Sequence, residues 1–159
     1  MTPIQFSLQT ESEDSLTLQT VLKVNNFSVS FRSRNAIVRA VNGISLKLDR
    51  GEILCLVGES GCGKSVTAMS LMRLLPQPPA RIDSGSIEFM GHNIMALSNK
   101  EMQKIRGNRI SMIFQSPVTS LNPVLTVGRQ ITEGLEIHLG LSGKEAAKRA
   151  VQILDLVQI

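Results

Sequence analysis

An α/β domain is what this sequence predicts, on three observations. Short runs with an apolar residue at every second position mark half-buried strands. One continuous apolar run, Ile53 to Val57, ends at a glycine-rich loop, as does a strand buried on both faces of a parallel sheet. Apolar residues at i, i+3, i+4 and i+7 then mark helices after that loop and through the last third of the chain.

The elements follow in order. Residues 1–20 are polar and rich in Ser, Thr, Gln and Glu, and are expected to form a flexible tail. Phe27, Val29 and Phe31 alternate with polar neighbours, and so do Ile44, Leu46 and Leu48; Asp49-Arg50-Gly51 then reads as a turn. After the Ile53–Val57 strand, Ala68, Leu71, Met72 and Leu75 form one helical stripe, which Pro76, Pro78 and Pro79 end. Ser86–Met90 and Arg109–Phe114 are predicted strands, and Ser98 with Glu101 has capping-box spacing for a short helix between them. Beyond Pro123, Val127, Ile131, Leu135 and Leu139 recur every four residues, and Ala147, Ala150, Val151 and Leu154 give a further stripe.

Composition narrows the classes of function. No apolar run approaches the roughly 18 residues of a membrane-spanning helix, and Met1–Thr10 lacks the pattern of a secretory signal. Membrane association is therefore expected through a partner. Cys55 and Cys62 form no CxxC pair, which argues against a metal site or disulfide framework and for a reducing cytoplasm. Residues 1–20 hold Glu11, Glu13 and Asp14 and no Lys or Arg, so the rest of the chain sets 17 basic residues against 10 acidic ones. A basic body suits anionic ligands, although most of these charges read as solvated surface. Nucleic acid is not an expected partner: the chain has no Tyr or Trp on which bases could stack.

The loop Gly58-Glu59-Ser60-Gly61-Cys62-Gly63-Lys64-Ser65 fits G-x-x-x-x-G-K-[ST], between a predicted strand and a predicted helix. Glycines let the backbone curl until successive N–H groups point inward as an anion nest. The helix that follows adds its free N–H groups and the positive end of its dipole. The N–H groups of Gly61, Cys62, Gly63, Lys64, Ser65 and Val66 are expected to cradle phosphates. Lys64 is expected to charge-pair with the β- and γ-phosphates of a nucleotide, and the Ser65 hydroxyl to ligate Mg²⁺. A helix N-terminus can make a thiol reactive, yet Cys62 is more simply a small filler that lends its N–H. Glu59, tempting as a general base, reads as a solvated or structural residue.

Three classes of phosphate-binding protein compete. A GTPase should carry N-K-x-D, and Asn99-Lys100-Glu101-Met102 fails at its fourth position. A small-molecule kinase begins almost at its loop strand, whereas here a β-rich stretch of roughly thirty residues comes first. The segment Ile113-Phe114-Gln115-Ser116-Pro117-Val118-Thr119-Ser120-Leu121-Asn122-Pro123 is a predicted strand ending in Gln115, then a stretch bounded by two prolines. A glutamine there can reach a metal or an attacking water and can move with the helices that follow.

That segment closely resembles the Q-loop of the dipeptide, oligopeptide and nickel subfamily of ABC importer ATPases, where F-Q-x-P-x-x-S-L-N-P is characteristic. The resemblance runs from about Val21 to Ile159 and includes Ala40-Val41-Asn42-Gly43-Ile44-Ser45, Leu74-Leu75-Pro76 and Arg106-Gly107. It implies an α/β P-loop NTPase of the ABC ATPase type. Such a chain has an antiparallel β subdomain and the start of a RecA-like core over 21–115, and the Q-loop with the start of a helical subdomain over 115–159. It implies ATP binding and, in the full-length protein, hydrolysis that powers import of peptides or a related solute. Phe31 matches the aromatic position that stacks on adenine. Gly58 and Ser60 belong to the nucleotide loop, and Gln115 would touch Mg²⁺ and report nucleotide state to a membrane subunit. The implied partners are transmembrane permease subunits, a second nucleotide-binding domain and, indirectly, a solute-binding protein. The implied place is the cytoplasmic face of the inner or plasma membrane.

The family's remaining motifs are not found. A Walker B strand is four apolar residues ending in Asp; the nearest stretch, Val151-Gln152-Ile153-Leu154-Asp155, is broken by Gln152. Leu141-Ser142-Gly143-Lys144 resembles the LSGGQ signature, but Ser142 and Glu145 have capping-box spacing and read as a helix start. His92 and His138 match no switch histidine and read as surface residues. The chain is accordingly expected to be truncated, to expose a sheet edge and apolar helix faces, to fold poorly alone and not to turn over ATP. The alternatives are a nucleotide-binding fragment without hydrolysis and a soluble ABC ATPase with no transport partner.

Overall fold

The computed structural model describes residues 19–116 and 120–159. It divides into two compact units, one ending at Ala96 and one running from Leu97 to Ile159, where the sequence reading set its boundary at Gln115.

The first unit is built on an antiparallel sheet of order β2-β1-β3-β4, with β1 at Thr20–Arg32, β2 at Ile37–Asp49, β3 at Ala80–Phe89 and β4 at His92–Asn93. The alternation seen in the sequence produces it. Phe27 and Val29 are buried and Phe31 half-buried on β1, and Ile44, Leu46 and Leu48 alternate with exposed neighbours on β2. Val24 is also buried, three residues rather than two from Phe27, because the register of β1 shifts there. Asn26 takes a left-handed φ of 41° at this bulge, and Gly85 of β3 (φ 91°) passes beneath it. A Cβ on Gly85 would lie 2.5 Å from the Asn25 carbonyl oxygen and the Phe27 Cα, so only glycine fits. Val24, Phe27, Val29, Ile87 and Phe89 supply much of this unit's core.

Helix α1, Lys64–Leu71, packs on β2. Met72 is buried and Ala68, Leu71 and Leu75 are half-buried, as the stripe predicts, but Thr67 and Ser70 are buried too. Their hydroxyls donate back to the carbonyls of Gly63 (3.0 Å) and Val66 (2.6 Å), which satisfies them inside the core. The helix stops before the prolines. Arg73 adopts φ 50°, and the N–H groups of Arg73 and Leu74 donate to the Ser70 and Met69 carbonyls in a Schellman end.

The second unit holds α2 (Asn99–Ile105), α3 (Val127–Leu139) and α4 (Gly143–Leu156), with α3 packed on α4. The capping box of α2 is complete: the Glu101 N–H donates to Ser98 Oγ, and the Ser98 N–H donates to the Glu101 carboxylate at 2.7 Å. Its hydrogen bonds from the Ser98 hydroxyl and then the Ser98 N–H hold the Glu101 carboxyl below its usual pKa. Ser142 and Glu145 open α4 in the same manner, the Ser142 hydroxyl donating to Glu145 at 2.6 Å and lowering its pKa. Leu141–Lys144 is thus a helix start.

Several expectations are corrected. Ile53–Val57 is not a strand, and Ile53 and Val57 are 90% and 91% exposed. A strand buried on both faces needs hydrogen-bonding neighbours on either side, and no described strand flanks this run. For the same reason Arg109–Phe114 forms no strand beyond a single bridge from Ile110 to Arg106. Met90 lies in a turn after β3, which extends back to Ala80. The polar tail gives way to sheet earlier than Val21: the Gln19 carbonyl accepts from the Arg50 N–H, and Thr20 Oγ1 donates to Asp49 at 2.9 Å. Residues 1–18 lie outside the described residues. On α4 the buried face is Ala146 and Ala150, with Ile153 and Leu154 half-buried, while Ala147 and Val151 are exposed. Packing against the one helix α3 buries only a narrow seam, and its phase falls one residue from the predicted stripe. His92 and His138 are half-buried; a Cβ on Gly107 would lie 3.2 Å from His138 Nε2.

Candidate nucleotide-phosphate site

The loop from Gly58 to Val66 ends where α1 begins. Gly63 is the helix N-cap with φ 95°, a left-handed conformation that side chains resist. A Cβ there would also run into the Ala40 carbonyl of β2. Gly61 turns at φ 81°. The first backbone bond of the helix, Thr67 N–H to the Gly63 carbonyl (2.8 Å), lies beyond Lys64, Ser65 and Val66. The N–H groups of these three residues belong to the first turn, where a helix has donors without intrahelical acceptors. Together with the positive end of the helix dipole they form an anion-seeking corner.

Lys64 folds over this corner. Its Nζ donates to the carbonyls of Gly58 and Glu59, both at 2.6 Å, and lies 3.5 Å from Cys62 Sγ. Glu59 thus serves the loop through its backbone, while its side chain is exposed. The Cys62 N–H donates to the Glu59 carbonyl at 3.4 Å. Cys62 Sγ sits 2.6 Å from where a Cβ on Gly58 would stand, so Gly58 admits the thiol and tightens the loop. Ser60 and Ser65 are exposed and Val66 is half-buried.

Phe31 shares the first unit with this loop. It pairs with Val38 on β2 and with Ala80 on β3. From β2, the Ala40 backbone carbonyl and the Val41 side chain are what face Gly63. Gln115 belongs to the second unit, exposed, in an open groove of about 440 Å³ with Phe114, Ser116 and Ser120. Pro117, Val118 and Thr119 of the same motif lie outside the described residues.

Two contributors escaped the sequence reading. Thr67 locks the helix start through both its N–H and its hydroxyl on Gly63, and Ala40 supplies the backbone wall against that glycine. A hydroxyl four residues after the N-cap was the available signal for Thr67; nothing local marks Ala40.

The donor set fits a magnesium nucleotide. Glycines clear the space at the helix start for a phosphate chain, Lys64 supplies charge, and Ser65 carries an oxygen of the kind Mg²⁺ prefers. Among the described residues no cluster of His, Cys, Asp or Glu suggests another metal. Both cysteines are free and exposed.

A sheet-backed glycine loop opening a helix with Lys-Ser defines a P-loop protein. The family model of the ABC transporter matches residues 41–159, and the chain belongs to that family. It is 49% identical over 139 residues to the oligopeptide transport ATP-binding protein OppD of Bacillus subtilis, covering 87% of this chain and 39% of that one. It is also 49% identical over 142 residues to the dipeptide transport ATP-binding protein DppD of the same organism, covering 89% and 42%. Among solved structures, a dimeric post-hydrolysis state of the ATP-binding cassette MJ0796 bound to ADP and phosphate superposes with a TM-score of 0.73 at 25% identity, covering 87% of this chain and 57% of that one. The fold is that of an ABC ATPase cassette. The chain spans about two fifths of the length of the curated relatives it matches.

Proposed function

We propose that this chain is the nucleotide-binding part of an ATPase subunit that powers import of peptides or a related small solute through a membrane ABC transporter. The observation that carries the reading is the loop Gly58–Val66, with left-handed glycines and Lys64 at the start of α1. The names of the oligopeptide and dipeptide transport relatives support the solute class. In the complete protein, the N–H groups of Gly61 to Val66 bind the phosphates and Lys64 leaves the Gly58 and Glu59 carbonyls to pair with them. Ser65 with its hydroxyl and Gln115 with its carbonyl oxygen are the residues that would hold Mg²⁺, which would supply charge neutralisation at the phosphates. Phe31 offers a flat apolar face to adenine. Gln115 transmits the state of the site to a permease subunit.

The partners are permease subunits, a second nucleotide domain that closes over the nucleotide, and through the permease a solute-binding protein. The dimer of the MJ0796 cassette supports the pairing. No helix among the described residues is long and apolar enough to cross a membrane. The protein then sits peripherally at the cytoplasmic face of the inner or plasma membrane. Residues 1–159 alone, in which no Walker B or signature motif is found, are expected not to turn over ATP.

Calorimetry of the complete protein with Mg²⁺ and ATP tests this. Lys64→Ala should abolish the binding heat, and Gln115→Ala should keep it while lowering ATP-driven uptake in vesicles. Unchanged affinity in Lys64→Ala would refute the site, and equal loss of binding and uptake in Gln115→Ala would refute the coupling role.

A further inference from the structure

The sheet has a second charged feature, across β1, β2 and β3, bordered at Val41 by the phosphate-loop residue Gly63. Three arginines line one groove of about 370 Å³ there. Arg39 on β2 and Arg81 on β3 are both register partners of Ser30 on β1, so the three form a row across adjacent strands. Arg32, two residues beyond Ser30, adds a third guanidinium to the same face. Like charges gathered on one sheet face repel, and side chains on neighbouring strands feel it.

Only one carboxylate lines the groove. Asp83 accepts the hydroxyl of the buried Ser30 at 3.0 Å and stands 3.6 Å from Arg81 Nε. The side chains of Arg32 and Arg39 make no ion pair or hydrogen bond among the described residues. Asp83 is thus committed to Ser30 and Arg81, and two planar forks of N–H donors remain over a polar floor of Ser28, Ser30 and Ser84.

We infer that this groove binds a phosphate-bearing anion, separately from the nucleotide loop. Guanidinium groups match phosphate oxygens with paired, charge-assisted bonds that ammonium groups cannot copy. The lining is mixed, with Ile37 and Val41 beside the polar residues, and the excess of arginine over the single Asp83 attracts an anion before contact. A soluble polyphosphate and the headgroup of an anionic lipid offer the same chemistry.

The test uses the complete protein carrying Lys64→Ala, so that the loop contributes no phosphate binding. Calorimetric titration with pyrophosphate should still show one site. Adding Arg39→Gln should weaken it about tenfold, the loss of one charge-assisted fork, and Arg39→Lys should rescue it only in part. Matching thermal unfolding of the Lys64→Ala parent and every derivative keeps the comparison free of misfolding. Sedimentation with phosphatidylglycerol vesicles against phosphatidylcholine vesicles separates the sources: capture by the former that Arg39→Gln removes assigns the groove to a lipid headgroup, and pyrophosphate binding without capture assigns it to a soluble anion. Absence of both, or binding indifferent to Arg39→Gln and Arg81→Gln, overturns the inference.

Discussion

The run Ile53–Val57 is apolar at every position and the strands β1–β3 only at alternate ones, yet it is the sheet that buries its apolar residues. Val29 and Ile87 in the sheet are wholly buried, while Ile53 and Val57 are almost wholly exposed. The difference lies in where each finds hydrogen-bonding neighbours. β1 and β2 pair across a short turn, closed by Ser33 N–H to the Ala36 carbonyl, and β3 adds to the other edge of β1. Antiparallel strands can complete one another through local connections, whereas a central parallel strand depends on distant crossovers. Hydrophobicity alone therefore does not make a strand; an available edge does.

The sharpest way to break this comparison is a pair of truncations in residues 1–159. Phe27→Ala should destabilise the chain by about 3–5 kcal/mol, and Ile53→Ala should stay within about 0.5 kcal/mol of the parent. Urea unfolding followed by circular dichroism reads both. A large loss in Ile53→Ala would show the run to be packed. Gly85→Ala comes next. It asks the bulge to absorb a Cβ beside the Asn25 carbonyl at a left-handed φ, at a cost of about 1–3 kcal/mol. The same measurement checks it, with Gly51→Ala, which meets nothing within 4 Å, as the strain-only reference.

The smallest effect is acid fraying where β1 meets β2. A hydrogen bond from Lys47, then one from Thr20, lowers the Asp49 pKa. A depressed carboxyl contributes stability in full above its unfolded pKa and loses it as pH falls through the folded value. Amide protection factors at Thr20 and Arg50 should therefore drop in acid before those at Val29 do. A uniform fall across β1 would contradict this order.

What the sequence could announce follows from the same contrast. The alternation around Phe27 to Phe31, the Ser98–Glu101 box and the glycine spacing of the phosphate loop are local patterns, and the structure realises each locally. Ile53–Val57 and Arg109–Phe114 carry the residues of buried strands, but the neighbours that would bury them are not among the described strands. Thr67 and Ser70 defeat the apolar stripe because back-bonding to helix carbonyls makes a hydroxyl acceptable inside. The Arg39–Ser30–Arg81 row had no linear signal, since register alone brings those residues together.

The resting position of Lys64 has a consequence for discrimination. Its ammonium already spends two short bonds on the loop's own carbonyls. An incoming ligand must offer that cation something better than neutral oxygen, and a polyanion does while a sugar or an uncharged nucleoside does not. The loop thereby favours a charged ligand over a neutral one.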